Sequence, residues 1–312
     1  MDSKKEGFIT FQGVTKKFGS NIVLNNLDLV IERDGIFGIM GLSGSGKTTL
    51  LNLLVNYWKP NSGKILYNGV EISSHKGIFN QFFGFGTQAG SVYPKLTVAE
   101  NLTYFGKMYN MRNKDIKLRI EELLKFVDLS DKEDVVASEL STGMYRRLDI
   151  ACALIHKPKI IVFDEPTGNL DPILRKKILA LIKKIDDEGT KVILTSHLMG
   201  EAEDICDQLA IIHKGKVIAL DTPEHLKEKY SKSEVIKFET DAPDYRALIP
   251  GLRDMGVDKI FEKRHYVYLY TPDAEETLFK LIKLIKSQNQ KLINIEVNKP
   301  KIEEVFESLT TK

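Results

Sequence analysis

The chain has 312 residues, 42% of them hydrophobic and 28% charged, which suits a folded globular protein of about two domains. Its 45 Lys and Arg face 43 Asp and Glu, a net charge of +2, so no global field draws it to nucleic acid, and clusters such as Arg175-Lys176-Lys177 read as solvated faces. No apolar run approaches the ~18 residues of a membrane span, and the polar residues 1–7 do not resemble a signal peptide, so the chain reads as soluble, with any membrane role supplied by a partner.

From the N-terminus, residues 9–11 and 26–31 read as strands, the second by its period-2 alternation; between them residues 14–19 end in Phe18 beside a turn. The apolar run 35–40 reads as a buried strand and residues 48–54 as a helix. Between these two stands Gly41-Leu42-Ser43-Gly44-Ser45-Gly46-Lys47-Thr48-Thr49, a full match to G-x-x-x-x-G-K-[ST] in the strand–loop–helix setting that the motif requires. Its glycines let successive N–H groups turn inward onto phosphate oxygens, and the helix behind adds its positive end. Lys47 can then reach β- and γ-phosphates, and the Thr48 hydroxyl can ligate Mg²⁺. A turn at 60–63 precedes a strand at 64–67 and the hairpin dipeptide Asn68-Gly69. Residues 97–129 change to a helical pattern, with Leu118, Ile120, Leu123, Leu124 and Val127 marking an apolar face. Strand 160–163, helix 173–185, strand 191–194 and the strand pair 210–213 and 216–219, joined at Lys214-Gly215, restore α/β alternation and predict a mostly parallel sheet covered on both faces. Cys152 and Cys206 lie in apolar segments without metal-ligand spacing, as buried thiols in a reducing compartment would.

After a charged link at 228–233 the order changes: strand 235–240, helix near 245–255, strands 258–261 and 266–270, helix 274–288, strand 292–297. That is β-α-β-β-α-β, a ferredoxin-like arrangement, closed by a short helix at 302–309 after Pro300. The predicted fold class is therefore α/β, a P-loop NTPase core with a parallel sheet and a helical subdomain at about 90–156, followed by a small ferredoxin-like α+β domain. The domain limits fall at 1–230 and 231–312.

Strand 160–163 ends in Asp164 and Glu165, at the strand edge where open α/β sheets bind ligands. Asp164 can share the Mg²⁺ of Thr48, mostly through its water shell. Glu165 can polarise a water against the γ-phosphate, and phosphoryl transfer asks for little more than positioning and charge neutralisation. At this point the chain resembles an ATP-binding subunit of the ABC transporters, over roughly residues 8–228. The marks stand in the family's order: Gln88 in Gly84-Phe85-Gly86-Thr87-Gln88, the signature segment Leu140-Ser141-Thr142-Gly143-Met144, the D-loop Gly168-Asn169-Leu170-Asp171, and His197 after Leu194-Thr195-Ser196.

The resemblance implies ATP bound by Phe18 (stacked on adenine), Gly41, Ser43, Gly44, Ser45, Gly46, Lys47, Thr48 and Thr49. It implies Mg²⁺ at Thr48, Asp164 and Gln88, and hydrolysis by Glu165, His197 and Lys47. It also implies Ser141, Thr142, Gly143 and Asp171 acting in trans, so that two ATP molecules are held in a head-to-tail dimer. Ser141 is a natural helix N-cap, and a helix N-terminus is equally an anion site. The chain departs from the family's pattern at Thr142, where glycine is usual, at Met144, at Asn169-Leu170, and at Phe18 in place of tyrosine. Tyr93 and Leu96 stand where the family receives a helix of its membrane subunit. The tail, residues 302–310, resembles the closing motif of type-2 exporter ATPases. The expected partners are a second copy of the chain and a separately encoded transmembrane permease, with no nucleic acid, and the expected place is the cytoplasmic face of the cell membrane. The competing reading, a soluble ABC ATPase acting on ribosomes or nucleic acid, is disfavoured by the single cassette, the lack of a long heptad insertion and the near-neutral charge.

Overall fold

The computed structural model describes residues 7–74, 81–230, 234–242, 245–263, 265–298 and 301–310. Part of the expected link at 228–233, Pro300 and most of the polar start lie outside the described residues. Two compact units emerge, Met1–Thr222 and Pro223–Lys312.

In chain order the first unit runs β1 (Ile9–Phe18), β2 (Asn21–Ile31), β3 (Phe37–Met40), α1 (Lys47–Leu54), β4 (Ser62–Tyr67), β5 (Val70–Glu71), β6 (Phe83–Gly86), α2 (Val98–Met108), α3 (Asn113–Phe126) and α4 (Thr142–Leu154). It continues with β7 (Ile160–Asp164), α5 (Pro172–Asp187), β8 (Lys191–Ser196), α6 (Met199–Ile205), β9 (Gln208–His213) and β10 (Lys216–Asp221). One sheet has the order β2-β1-β4-β5 and the other β10-β9-β3-β8-β7-β6. Within the second, β9, β3, β8, β7 and β6 are mutually parallel and β10 is antiparallel at the edge. Every residue of β3, β7 and β8 is buried, as expected of parallel strands covered on both faces. Helices α2, α3 and α4 form the helical insertion between β6 and β7.

Strand β1 is longer than its alternation suggests, because register shifts after Phe11, Val14 and Lys16 absorb extra residues into it. Such bulges break period-2 patterning while keeping the ladder, so the polar stretch to Phe18 stays in the sheet. The pairs Asn68-Gly69 and Lys214-Gly215 have positive φ at both positions, the conformation of tight hairpin turns.

The second unit holds α7 (Pro223–Tyr230), β11 (Glu234–Thr240), α8 (Ile249–Arg253), β12 (Lys259–Lys263), β13 (Tyr266–Thr271), α9 (Ala274–Ser287), β14 (Leu292–Asn298) and α10 (Ile302–Thr310). Its antiparallel sheet has the order β12-β13-β11-β14. Ile236, Phe238, Leu269, Leu281 and Ile285 meet in its core. Helix α8 is shorter than the expected 245–255: Pro250 sits in its first turn, which stops an earlier start. Tyr245 and Leu248 are still buried, in the turn that precedes it. The compact units divide before α7, ahead of the expected limit at 230/231, since α7 packs on α10.

Lys191, at the start of β8, is 6% exposed and its Nζ donates to the carbonyls of Asp34 (2.8 Å) and Gly35. Burial pulls its pKa down from 10.5 to about 8, against the attraction of Asp186, Asp207 and Asp34. The unfolded chain therefore binds more protons than the folded one between about pH 8 and 10.5, and stability rises with pH across that window. Thermal unfolding of the wild type and Lys191→Met in parallel should show the wild type gaining on the variant as pH rises through it; a constant gap would contradict a desolvated lysine.

Candidate active site

The loop after β3 and the start of α1 form the floor of the site. Gly46 caps α1 at φ 106°, a left-handed conformation, and a Cβ there would lie 2.8 Å from Leu24 Cδ2 and 3.2 Å from the Val23 carbonyl. A Cβ at Gly41 would run into the Ile212 carbonyl and lie 2.7 Å from Ser45 Oγ. Glycine at both ends thus lets the loop press against its neighbours, and the Ser45 N–H closes its turn on the Leu42 carbonyl at 3.1 Å. The first turn of α1 holds no acidic residue to compete for an anion. Ser45 Oγ is buried without a hydrogen-bond partner among the described residues, in the loop that the motif assigns to phosphate.

Lys47 is 5% exposed; its Nζ donates to the carbonyls of Gly41 (2.9 Å) and Leu42 (3.2 Å) and lies 3.7 Å from Glu165 Oε1. Burial lowers its pKa, while Glu165 and Asp164 pull the other way. Three further contacts converge on Glu165. Gln88 Nε2 donates to Oε2 at 3.1 Å, and His197 Nδ1 lies 3.0 Å from the same oxygen. The Glu165 backbone is left-handed at φ 50°, a conformation that costs a non-glycine residue about 1–2 kcal/mol. Its N–H donates to Thr195 Oγ1 (2.9 Å), whose own hydroxyl donates to Asp164 Oδ1 at 2.6 Å. Thr195, which no motif marks as functional, is buried on β8, directly opposite Asp164, and fixes both acids.

A cavity of about 530 Å³ joins these groups. Ser43, Gly44, Gly46, Lys47, Thr48 and Thr49 line it on one side, and Gln88, Glu165 and His197 on the other. Val23 of β2 also lines it, a contact that no sequence motif flags. Asp164 lies just behind, 4% exposed. A roomier cavity of about 680 Å³ is bordered by Asp28 and Glu32 and by none of the phosphate-loop residues, so its charge does not suit a phosphate.

The remaining expected residues stand apart from this lining. Phe18 is 42% exposed, edge-on to Trp58 at 4.9 Å, with Lys16 Nζ 5.0 Å from its ring centroid. Ser141 caps α4, accepting from Met144 N at 3.3 Å, and both Ser141 and Thr142 are exposed. Gly143 is buried, where a Cβ would meet Leu174 Cδ2 at 2.7 Å. Asp171 caps α5 through the N–H groups of Ile173 (2.9 Å) and Leu174 (3.0 Å), behind Asn169 at φ 61°. Buried Asn101 holds the segment before α2, accepting from Tyr93 N (2.7 Å) and donating to the Tyr93, Leu96 and Thr97 carbonyls. Tyr93 is left 45% exposed.

Residues 24–168 match the family model described as ABC transporter. A Nod factor export ATP-binding protein I of Rhizobium sp. (strain N33) is 32% identical over 97% of this chain and 96% of its own length. The chain belongs to the ABC transporter family. The linearmycin resistance ATP-binding protein LnrL of Bacillus subtilis is 29% identical to this ABC subunit, over 96% of the subunit and 97% of LnrL. A dimeric ATP-binding cassette, solved in a post-hydrolysis state with ADP and Pi, superposes with a TM-score of 0.61 at 28% identity, covering 69% of this chain and 98% of that one. The ABC subunit is an ATP-binding ATPase. Among its described residues no helix is long and apolar enough to cross a membrane.

Replacing Thr195 by valine keeps its shape but strands the Glu165 N–H and one Asp164 oxygen. Urea unfolding of Thr195→Val should show a loss of about 1–3 kcal/mol, together with slower ATP turnover; unchanged stability would mean that the hydroxyl bridges nothing of consequence.

Proposed function

We propose that this chain is the energy-coupling ATPase of a membrane exporter, in which two copies close around ATP and act on a separately encoded transmembrane permease at the cytoplasmic face of the membrane. The observation that carries the reading is the convergence of Lys47, Gln88 and His197 on Glu165 inside the phosphate-loop cavity, while the helix tips at Ser141 and Asp171 stay outside it. A site with its cradle on one face and the Ser141 helix tip elsewhere is completed by a second copy. Export is the direction named for the Nod factor relatives, and the near-neutral charge fits that reading better than nucleic acid.

In this reading the loop N–H groups and Lys47 hold the β- and γ-phosphates, and Phe18 covers the adenine. Thr48 and Asp164 supply hydroxyl and carboxylate oxygens, a donor set that fits Mg²⁺ because that ion keeps much of its water, and the Gln88 carbonyl oxygen can join them. When bound, Mg²⁺ supplies charge neutralisation across the phosphates. Glu165 orients the attacking water and takes its proton as the bond from phosphorus to the ADP oxygen breaks. His197 is placed to bond the γ-phosphate oxygens. Ser141, Thr142 and Gly143 of the second copy seal the same phosphate with a helix N-terminus whose first turn carries no acid, and Asp171 sits at the adjoining surface. The first compact unit acts as the ATPase domain and the second as an accessory domain.

Glu165→Gln should lower kcat by at least about 100-fold, the usual worth of a general base, while ATP affinity changes only a few-fold. Affinity purification from detergent-solubilised membranes should recover a polytopic membrane protein. Full turnover in the variant would contradict the catalytic assignment, and recovery of ribosomes or DNA in place of a membrane protein would overturn the exporter reading.

A further inference from the structure

Helix α4 carries, little more than a turn behind Ser141, a buried ion pair that none of the family marks includes. Arg146 and Asp149 are three residues apart and so share a helix face. Their side chains are 12% and 2% exposed, with Arg146 Nη1 donating to Asp149 Oδ2 at 3.1 Å. The guanidinium spends its other donors on main-chain carbonyls: Nε on Pro166 (2.8 Å), Nη2 on Glu165 (3.2 Å) and Nη1 on Thr87 (3.1 Å). Asp149 turns its second oxygen to Ser91, accepting from its N–H at 2.7 Å and from its hydroxyl at 3.2 Å. One pair therefore grips the chain before Gln88, the chain after it, and the peptide that follows Asp164.

These acceptors matter for what they orient. Thr87 immediately precedes Gln88, whose amide bonds the Glu165 carboxylate. The carbonyl of Glu165 belongs to the left-handed residue and also accepts from Gly168 N at 3.1 Å. Thr195 fixes that residue by its N–H and Arg146 by its carbonyl, so the side chain leaves a backbone clamped at both ends. A planar fork with several donors suits this work, which a lysine ammonium could not repeat. Helix α4, running from Ser141 to the pair, makes one rigid piece with the loop 87–91 and Glu165.

We infer that Arg146 and Asp149 are positioning residues for ATP hydrolysis: they lock α4 to the Gln88 loop and to the Glu165 backbone, so that seating the Ser141 end of α4 on the partner copy's nucleotide aligns the Glu165 carboxylate in the chain's own site. The inference rests on the ATPase reading and deepens it by naming the part that carries the alignment.

The test measures steady-state ATPase rates of wild type, Arg146→Lys, Arg146→Gln and Asp149→Asn. Each rate is divided by the number of nucleotide sites titrated with a fluorescent ATP analogue on the same sample, so that misfolded protein does not count. Turnover per site should fall at least 10-fold in all three variants, since small misplacements of a reacting group are costly, while the Kd for the analogue stays within threefold. Arg146→Lys keeps the buried charge and serves as the variant that folds if Arg146→Gln does not. Turnover per site within threefold of wild type in Arg146→Lys and Asp149→Asn overturns the inference, as does a fall matched by an equal loss of affinity, which marks a plain structural staple. A wild type that binds the analogue but never turns ATP over contradicts the ATPase reading itself, and this inference falls with it.

Discussion

Because β3, β8 and β7 pair in parallel, with Met40 opposite Ser196 and Asp164 opposite Thr195, three segments far apart in sequence leave the sheet at one edge. The phosphate loop follows β3, the two acids end β7, and His197 follows β8. No side chain has to reach far, and the backbone needs only local bends beyond the strand ends. Burial of these strands on both faces makes the register costly to shift, since each buried branched residue contributes about 1.5–3 kcal/mol. The groups just beyond those strand ends inherit that rigidity, as a site supported by packed strands should.

Electrostatics adds a second layer. Glu165 gathers the cationic or donor groups Lys47, Gln88 and His197, so its carboxylate stands where a phosphate would otherwise draw the same donors. In the proposed function, an arriving γ-phosphate would compete with that carboxylate for Lys47 and His197, and the exchange would free Glu165 to hold a water. The helix tips obey the complementary rule. Helices α1 and α4 both lack acids in their first turns, one inside the cavity and one at an exposed surface, so each presents N–H groups to an anion. A phosphate held by both would join two copies of the chain.

Much of this was legible in the sequence wherever the chemistry lies in consecutive residues. Gly41 to Thr49 and Asp164-Glu165 could be read directly, because phosphate binding needs its glycines, lysine and hydroxyl at fixed spacing, whereas His197 is marked through the family resemblance. The hidden parts act across the fold. Thr195 looks like an ordinary strand residue until parallel pairing sets it opposite Asp164. Val23 lines the cavity only because β2 passes beside Gly46. Arg146 and Asp149 belong to no motif, and nothing local shows that the main chain of Thr87, Glu165 and Pro166 lies within reach. The bulges of β1 and the proline start of α8 likewise moved element limits, by backbone effects that hydrophobic periodicity does not encode.

In the proposed function, ATP itself joins two copies of the chain. Sedimentation equilibrium of Glu165→Gln, with and without ATP and Mg²⁺, tests it most directly. The expected mass is near 35.4 kDa without nucleotide and twice that value with it. A chain that binds ATP and still sediments as a single copy at every concentration would contradict it.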